Sequence, residues 1–203
     1  MGTRNLTCVY LDGEYKVAQY GQWDGYPEGQ GVDCLNFLRY KMVEKKFREE
    51  LRKRRFAPEE YVKGIYDAFG AKDGFISLDN ANKINQAFPQ FSRDTAAVIL
   101  KMIMDDEIGD YLQNSLDFAA DSLFCEWAYV IDLDKRTFEV YEGFNKEPLT
   151  EDDRFFFLEE KSYKEHRGVD QYHPVKLVKS WSLDELPTVE EFLGAFKEEG
   201  DDS

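Results

Sequence analysis

Histidine, cysteine and long apolar runs are scarce in this chain of 203 residues, and each scarcity removes a class of function. The two histidines, His166 and His173, lack the spacing of a zinc motif, and no Cys-x-x-Cys occurs. A serine nucleophile would need one of those histidines, yet no Gly-x-Ser-x-Gly elbow accompanies them. Both histidines read as solvated or hydrogen-bonded loop residues. The three cysteines, Cys8, Cys34 and Cys125, are far apart and odd in number. That pattern predicts reduced thiols and a cytoplasmic setting. No apolar run approaches about 18 residues, so no transmembrane helix is expected. The first residues meet charge at Arg4, too early for the apolar region of a signal peptide, and Leu6 stands where a myristoylation signal carries Ser or Thr. Positive charge is also short: 26 basic residues face 41 acidic ones, a net charge of −15. This disfavours binding of nucleic-acid backbone over the whole surface and adsorption to an anionic membrane.

Cofactor motifs are absent as well. The glycines between positions 21 and 31 match neither the phosphate-binding P-loop nor the dinucleotide fingerprint. Asp73-Gly74 invites an EF-hand reading, but its first, third and twelfth positions would be Phe69, Ala71 and Asn80, which cannot hold calcium. No metal and no cofactor is expected.

What is present is a clear order of elements. Leu6–Leu11 and Tyr15–Tyr20 read as a hairpin around Asp12-Gly13. Residues 21–31 contain four glycines and one proline, which argues for a structured loop rather than a helix or strand. From Val32 to Phe56 the apolar residues Leu35, Leu38, Met42, Phe47 and Leu51 recur at helical spacing. Pro58 starts a second helix through Tyr61, Ile65 and Phe69, and Ser77 or Asp79 caps a third that ends near Pro89. A stronger helix is predicted from Arg93 to Asp106, opened by Ser92, with 107–123 short helix or irregular. Glu126–Leu133 and Thr137–Tyr141 form a second hairpin, and Val175–Trp181 another strand. The type of Phe155–Leu158 stays open. Thr188-Val189-Glu190-Glu191 is a capping box for a last helix. The pattern predicts one α+β domain over 1–203, with terminal strands meeting in an antiparallel sheet and a central helical block packed on it.

Charge is uneven. Between Arg39 and Arg55 nine basic residues face three acidic ones, a local charge of +6 that leaves −21 on the remainder. Arg48, Arg52, Arg54 and Arg55 on this segment would suit RNA or an acidic partner face. The other reading is a solvated helix whose cations pair with the chain's own carboxylates, and the negative surroundings favour it. The acidic residues cluster at Asp105-Asp106-Glu107 with Asp110, at Glu151-Asp152-Asp153 and at Asp184-Glu185. They are either ordinary solubilising charge or an imitation of a phosphate backbone. Trp23 and Tyr26 of the 21–31 loop, with Tyr20 just before it, would surround Asp24 with rings, and burial there would raise its pKa and suit it to proton transfer or ligand binding. The structural alternative makes Trp23 and Tyr26 core anchors and Asp24 an Asx-turn residue, and it is the favoured one.

The opening Met1-Gly2-Thr3-Arg4, the run Gln19 to Gly29 and the strand Cys125–Leu133 together resemble a family from phages, mobile elements, bacteria and fungi. Its members open Met-x-Thr-Arg before a Trp-Asp-x-Tyr-Pro-x-Gly loop, and the likeness covers about a third of the chain. Some are similar to N-terminal-nucleophile amidohydrolases, which implies an αββα-like sandwich and places Thr3, Arg4 and Asp24 in a catalytic pocket. Gly2 stands where those enzymes carry the cysteine nucleophile. The combined expectation is an acidic cytosolic accessory protein of phage or mobile-element type that binds a protein or ribonucleoprotein partner, as an inhibitor of a host-defence or nucleic-acid-handling machine. The alternatives are a degenerate amidohydrolase and an RNA-binding or RNA-processing protein that uses the basic helix 39–55.

Overall fold

The computed structural model describes residues 2–72, 75–162 and 171–197. His166 and Asp73-Gly74 lie outside them. The first hairpin forms as the turn chemistry predicts: β1 (Asn5–Leu11) pairs with β2 (Glu14–Gly21) around Asp12 and Gly13, both of which adopt positive φ. A bulge in β2 shifts the pairing from Val9↔Val17 to Tyr10↔Tyr15, skipping Lys16. Bulges re-aim side chains, and this one puts Tyr15 on the same face as Tyr10.

The glycine-rich stretch corrects one expectation. Pro27–Gly31 is a wide π-helical turn that runs directly into α1 (Val32–Asn36). Pro27 is tolerated there because a helix's first turn leaves its N–H groups unbonded anyway. A second π turn, Phe37–Lys41, ends at Met42 and Val43, which are extended, before α2 (Glu44–Lys53). The single helix expected over 32–56 is therefore broken. A five-residue step from Met42 to Phe47 would put Phe47 about 140° off the buried face of a continuous α-helix, and the extended pair restores the register.

The two-residue strand β3 (Arg55–Phe56) follows, then α3 (Glu59–Ala68) and α4 (Leu78–Ala87), which Ser77 caps by accepting from Asn80 N–H. The helix expected from Arg93 is confined to α5 (Val98–Met104), preceded by the 3₁₀ turn Pro89–Phe91. A two-residue strand, β4 (Tyr111–Leu112), pairs with β3 in parallel, and Leu116–Ala120 is a 3₁₀ turn. The second hairpin is β5 (Trp127–Asp132) and β6 (Thr137–Glu142). Phe156–Lys161 is 3₁₀, β7 (Lys176–Ser182) is the last strand, and α6 (Val189–Gly194) carries the complete Thr188–Glu191 capping box.

The α+β architecture is as expected, with one large sheet in the order β2-β1-β5-β6-β7. Its centre departs from the all-antiparallel expectation: β1 and β5 are parallel, and the other neighbours are antiparallel. Turn dipeptides fix only the two hairpins. The long helical block between them can return the chain in either direction. A second large sheet, which an αββα sandwich needs, is not present among the described residues.

Both faces of the sheet are covered. On one, Val9, Leu11, Tyr129, Ile131, Phe138 and Val140 pack against Leu35, Phe47, Leu51, Ile99, Ile103 and Phe192 from the helices. On the other, Leu6, Cys8, Ala128, Val130 and Tyr141 pack against Ala119, Leu149, Phe155 and Leu158, and the described cover there is mainly 3₁₀ turns and loops. Each fully buried apolar side chain contributes about 1.5–3 kcal/mol. The thinner second cover leaves a cavity at the hairpin end of the sheet.

Candidate functional site

The cavity on the loop-covered face has a volume of about 360 Å³ and is lined by Tyr10, Tyr15, Asp132, Glu139, Tyr141, Asp152, Asp153, Arg154 and Phe157 among others. Strand register brings its floor together. Tyr15, Tyr10 and Asp132 are direct neighbours across β2, β1 and β5, and Glu139 and Tyr141 alternate along β6 onto the same face. Arg154, from the segment after β6, folds over them.

Arg154 carries the electrostatics. Its Nε donates to Glu139 Oε2 (2.6 Å) and its Nη2 to Glu139 Oε1 (2.9 Å) and to Asp132 Oδ2. Tyr141 Oη donates to Glu139 Oε2 (2.6 Å), Thr137 Oγ1 donates to Glu139 Oε1 (2.8 Å), and the Asp134 and Lys135 N–H groups donate to Asp132 Oδ1. The guanidinium carbon lies 5.4 Å over the Tyr10 ring. Asp132 is inaccessible and Glu139 is 6% exposed. Burial pushes the Glu139 carboxyl up more than any single partner pulls it down, yet Arg154, Tyr141 and Thr137 together hold it below the usual range. Burial works against the Arg154 charge as well, and its carboxylate partners more than offset it, so its pKa is raised. Desolvation raises the Tyr141 and Tyr15 hydroxyls. The Tyr15 hydroxyl is shut off from solvent near Arg154 but has no well-formed hydrogen bond.

The residues singled out by sequence lie elsewhere, apart from Asp152 and Asp153. The 21–31 loop is at the opposite end of the first hairpin. It is a pinned loop: Gly25 N–H donates to Thr3 O (3.0 Å), Tyr129 Oη donates to Gly25 O (2.7 Å) and Gln30 N–H donates to Asp24 O (2.9 Å). Asp24 is exposed and adopts φ 55°, so it is not a carboxylate buried among rings. Trp23 and Tyr26 are not core anchors either. They are 48% and 54% exposed, and Trp23 Nε1 donates to Asp94 Oδ1 (2.9 Å). Tyr20 donates to Gln22 Oε1 (2.6 Å) and packs edge-on against Phe118. Tyr26 lines a second cavity of about 360 Å³ with Trp127, Val178 and Phe196. Thr3 is buried, and the Arg4 guanidinium lies 4.5 Å over the Phe124 ring with its Nε buried and unbonded. The backbone bond from Gly25 to Thr3 brings the loop to the start of β1, and among the described residues no hydrogen bond or ion pair is seen between the side chains of Thr3, Arg4 and Asp24.

The basic segment and the first acidic cluster meet each other. Arg54 is buried and donates to Asp106 (2.5 Å) and Asp110 (3.3 Å), with Glu50 3.6 Å away. Lys101 pairs with Asp105 (2.6 Å) and Glu107 (3.6 Å). Arg52 forms a two-pronged pair with Asp12, Arg48 pairs with Glu44 (2.9 Å), and Arg55 stacks on the Tyr111 ring at 4.6 Å. Asp184, of the third acidic cluster, is held by Arg136. His173 is hydrogen-bonded, its Nδ1 2.9 Å from Glu159.

Sequence reading passed over Arg154, Asp132, Glu139 and the three tyrosines. The only available signal was the odd placement of charge inside apolar strands, Asp132 after Trp127–Ile131 and Glu139 between Phe138 and Val140. Among the described residues no three His, Cys, Asp or Glu side chains gather to hold a metal ion, and no described helix is long and apolar enough to cross a membrane. No protein-family model, curated protein or solved structure matches the chain.

Proposed function

We propose that this chain is an acidic binding protein whose partner is a protein or ribonucleoprotein with a basic surface, such as a nucleic-acid-handling machine or a host-defence component that the chain would inhibit. One observation carries the reading. Arg48, Arg52 and Arg54 of the only strongly basic segment are held by Glu44, Asp12, Asp106 and Asp110 of the same chain. Those arginines are spent on the chain's own carboxylates, so the surplus behind the net charge of −15 is what a partner meets. Such a field speeds encounter with a basic surface and repels a phosphate backbone. The same pairing weakens the RNA reading at these three positions, because each arginine must give up a carboxylate before it can neutralise a phosphate.

The test is capture from a bacterial lysate on the immobilised chain at low salt, with and without nuclease. The expected result is a basic protein, retained after nuclease in stoichiometric amount and released as salt is raised. Retention that disappears with nuclease, or a retained partner that is itself acidic, overturns the reading. Asp106 and Asp110 are poor positions for charge reversal, since changing them unpairs buried Arg54 and confounds binding with folding.

A further inference from the structure

We infer that the cavity under Arg154 is where such a partner docks, and that its occupant is a basic side chain, the guanidinium of arginine or the ammonium of lysine. The inference rests on the binding reading above and adds to it a site and a ligand chemistry.

Three features of the cavity select a cation. First, among the described residues its lining holds four carboxylates, Asp132, Glu139, Asp152 and Asp153, against two cations, Arg154 and Lys135, an excess of two negative charges when all are ionised. Arg154 is already committed to Asp132 and Glu139. Asp152 stands exposed at the mouth, in the acidic run Glu151-Asp152-Asp153. Second, the walls are aromatic. Tyr10, Tyr15, Tyr141 and Phe157 line it, and ring faces attract cations. The chain demonstrates this with its own guanidinium, which sits over Tyr10 while bonded to Glu139. Third, the rim suits the aliphatic stem of a long basic side chain. Phe157 and Leu177 are exposed there, and such a stem covers apolar surface while its charged end reaches polar groups. The volume of about 360 Å³ is at the small end of ligand sites, enough for one side chain and too little for a folded element.

The experiment titrates the full chain at low salt with N-acetyl-arginine amide and N-acetyl-lysine amide, followed by amide NMR. N-acetyl-norleucine amide and N-acetyl-glutamate amide are the uncharged and anionic controls. Shifts should centre on Tyr10, Tyr15, Lys135, Arg154, Phe157 and Leu177, with the basic probes only. Asp152→Asn and Phe157→Ala, both at exposed positions, should weaken binding, and Lys135→Gln should tighten it by about threefold by removing a repelling charge. The gain in Lys135→Gln cannot be produced by misfolding. Equal shifts with the norleucine probe, or no change in either aspartate or lysine variant, overturn the inference. A basic partner captured equally well by the Asp152→Asn and Phe157→Ala chains overturns the docking site and leaves the acidic-surface reading standing. Probe binding in the cavity with no partner captured overturns the docking of a macromolecular partner and leaves only a cavity that takes a basic side chain.

Discussion

Replacing Arg154 by Met removes the charge that two buried carboxylates share while keeping most of the side-chain volume. Asp132 is inaccessible and Glu139 nearly so, and both bond the guanidinium. Breaking a buried pair by deleting one partner costs about 3–5 kcal/mol, because the remaining charge is left without compensation. A chain of this length loses about 2–4 °C of Tm per kcal/mol, so the expected drop is on the order of 10 °C. The pH dependence identifies the cause. In the native chain the Glu139 carboxyl is held below its ordinary value of 4.5. That stabilisation is complete above the unfolded value and is lost as pH falls through the folded one. In Arg154→Met burial dominates, the Glu139 pKa moves above the unfolded value, and destabilisation grows as pH rises through the range between them. The gap between native and variant chains is therefore widest near pH 7 and narrows toward pH 4. Urea denaturation followed by circular dichroism at both pH values measures it. A loss under about 1 kcal/mol at pH 7, or the same loss at both, refutes the assignment of Arg154 as the counter-ion of a buried pair.

Three further outcomes follow from local geometry. A methyl group at Gly29 would sit 2.2 Å from Asp24 O, whereas one at Gly64 in α3 meets nothing within 4 Å. Gly29→Ala should therefore lose about 1–3 kcal/mol and Gly64→Ala gain about 0.5–1, both read from urea midpoints. The hydrogen bond from Arg54 holds the Asp106 carboxyl below the usual range, so its NMR titration midpoint should lie low in the native chain and return upward in Arg54→Met. Burial raises the thiols of Cys8, Cys34 and Cys125. Ellman's reagent at pH 8 should leave all three unmodified in the folded chain and titrate three in urea, and rapid reaction of the folded protein would contradict their burial.

The elements with local causes were legible in the chain itself. Asp12-Gly13 sets the first hairpin, Asp134-Lys135-Arg136 joins β5 to β6, Ser77 caps α4, and Thr188 with Glu191 starts α6, because each depends on residues only a few positions apart. Composition likewise settled the sign of the surface charge. What sequence could not supply is everything that depends on long-range register. The parallel pairing of β1 with β5 brings Tyr10 beside Asp132, although the two lie more than a hundred residues apart, and a bulge at Lys16 adds Tyr15 to the same row. The basic segment and the acidic residues 105–110 read as separate surfaces until Arg54 is seen buried between Asp106 and Asp110. The composition of the Trp23–Asp24 loop points to a site, yet its glycines serve close backbone approach: a Cβ on Gly25 would lie 2.7 Å from Thr3 O. Sequence determined the parts and the net charge, since turn, cap and titration chemistry are local. Tertiary structure alone decided which charges cancel and which are left around a cavity, since Coulombic pairing depends on distance in space and not along the chain.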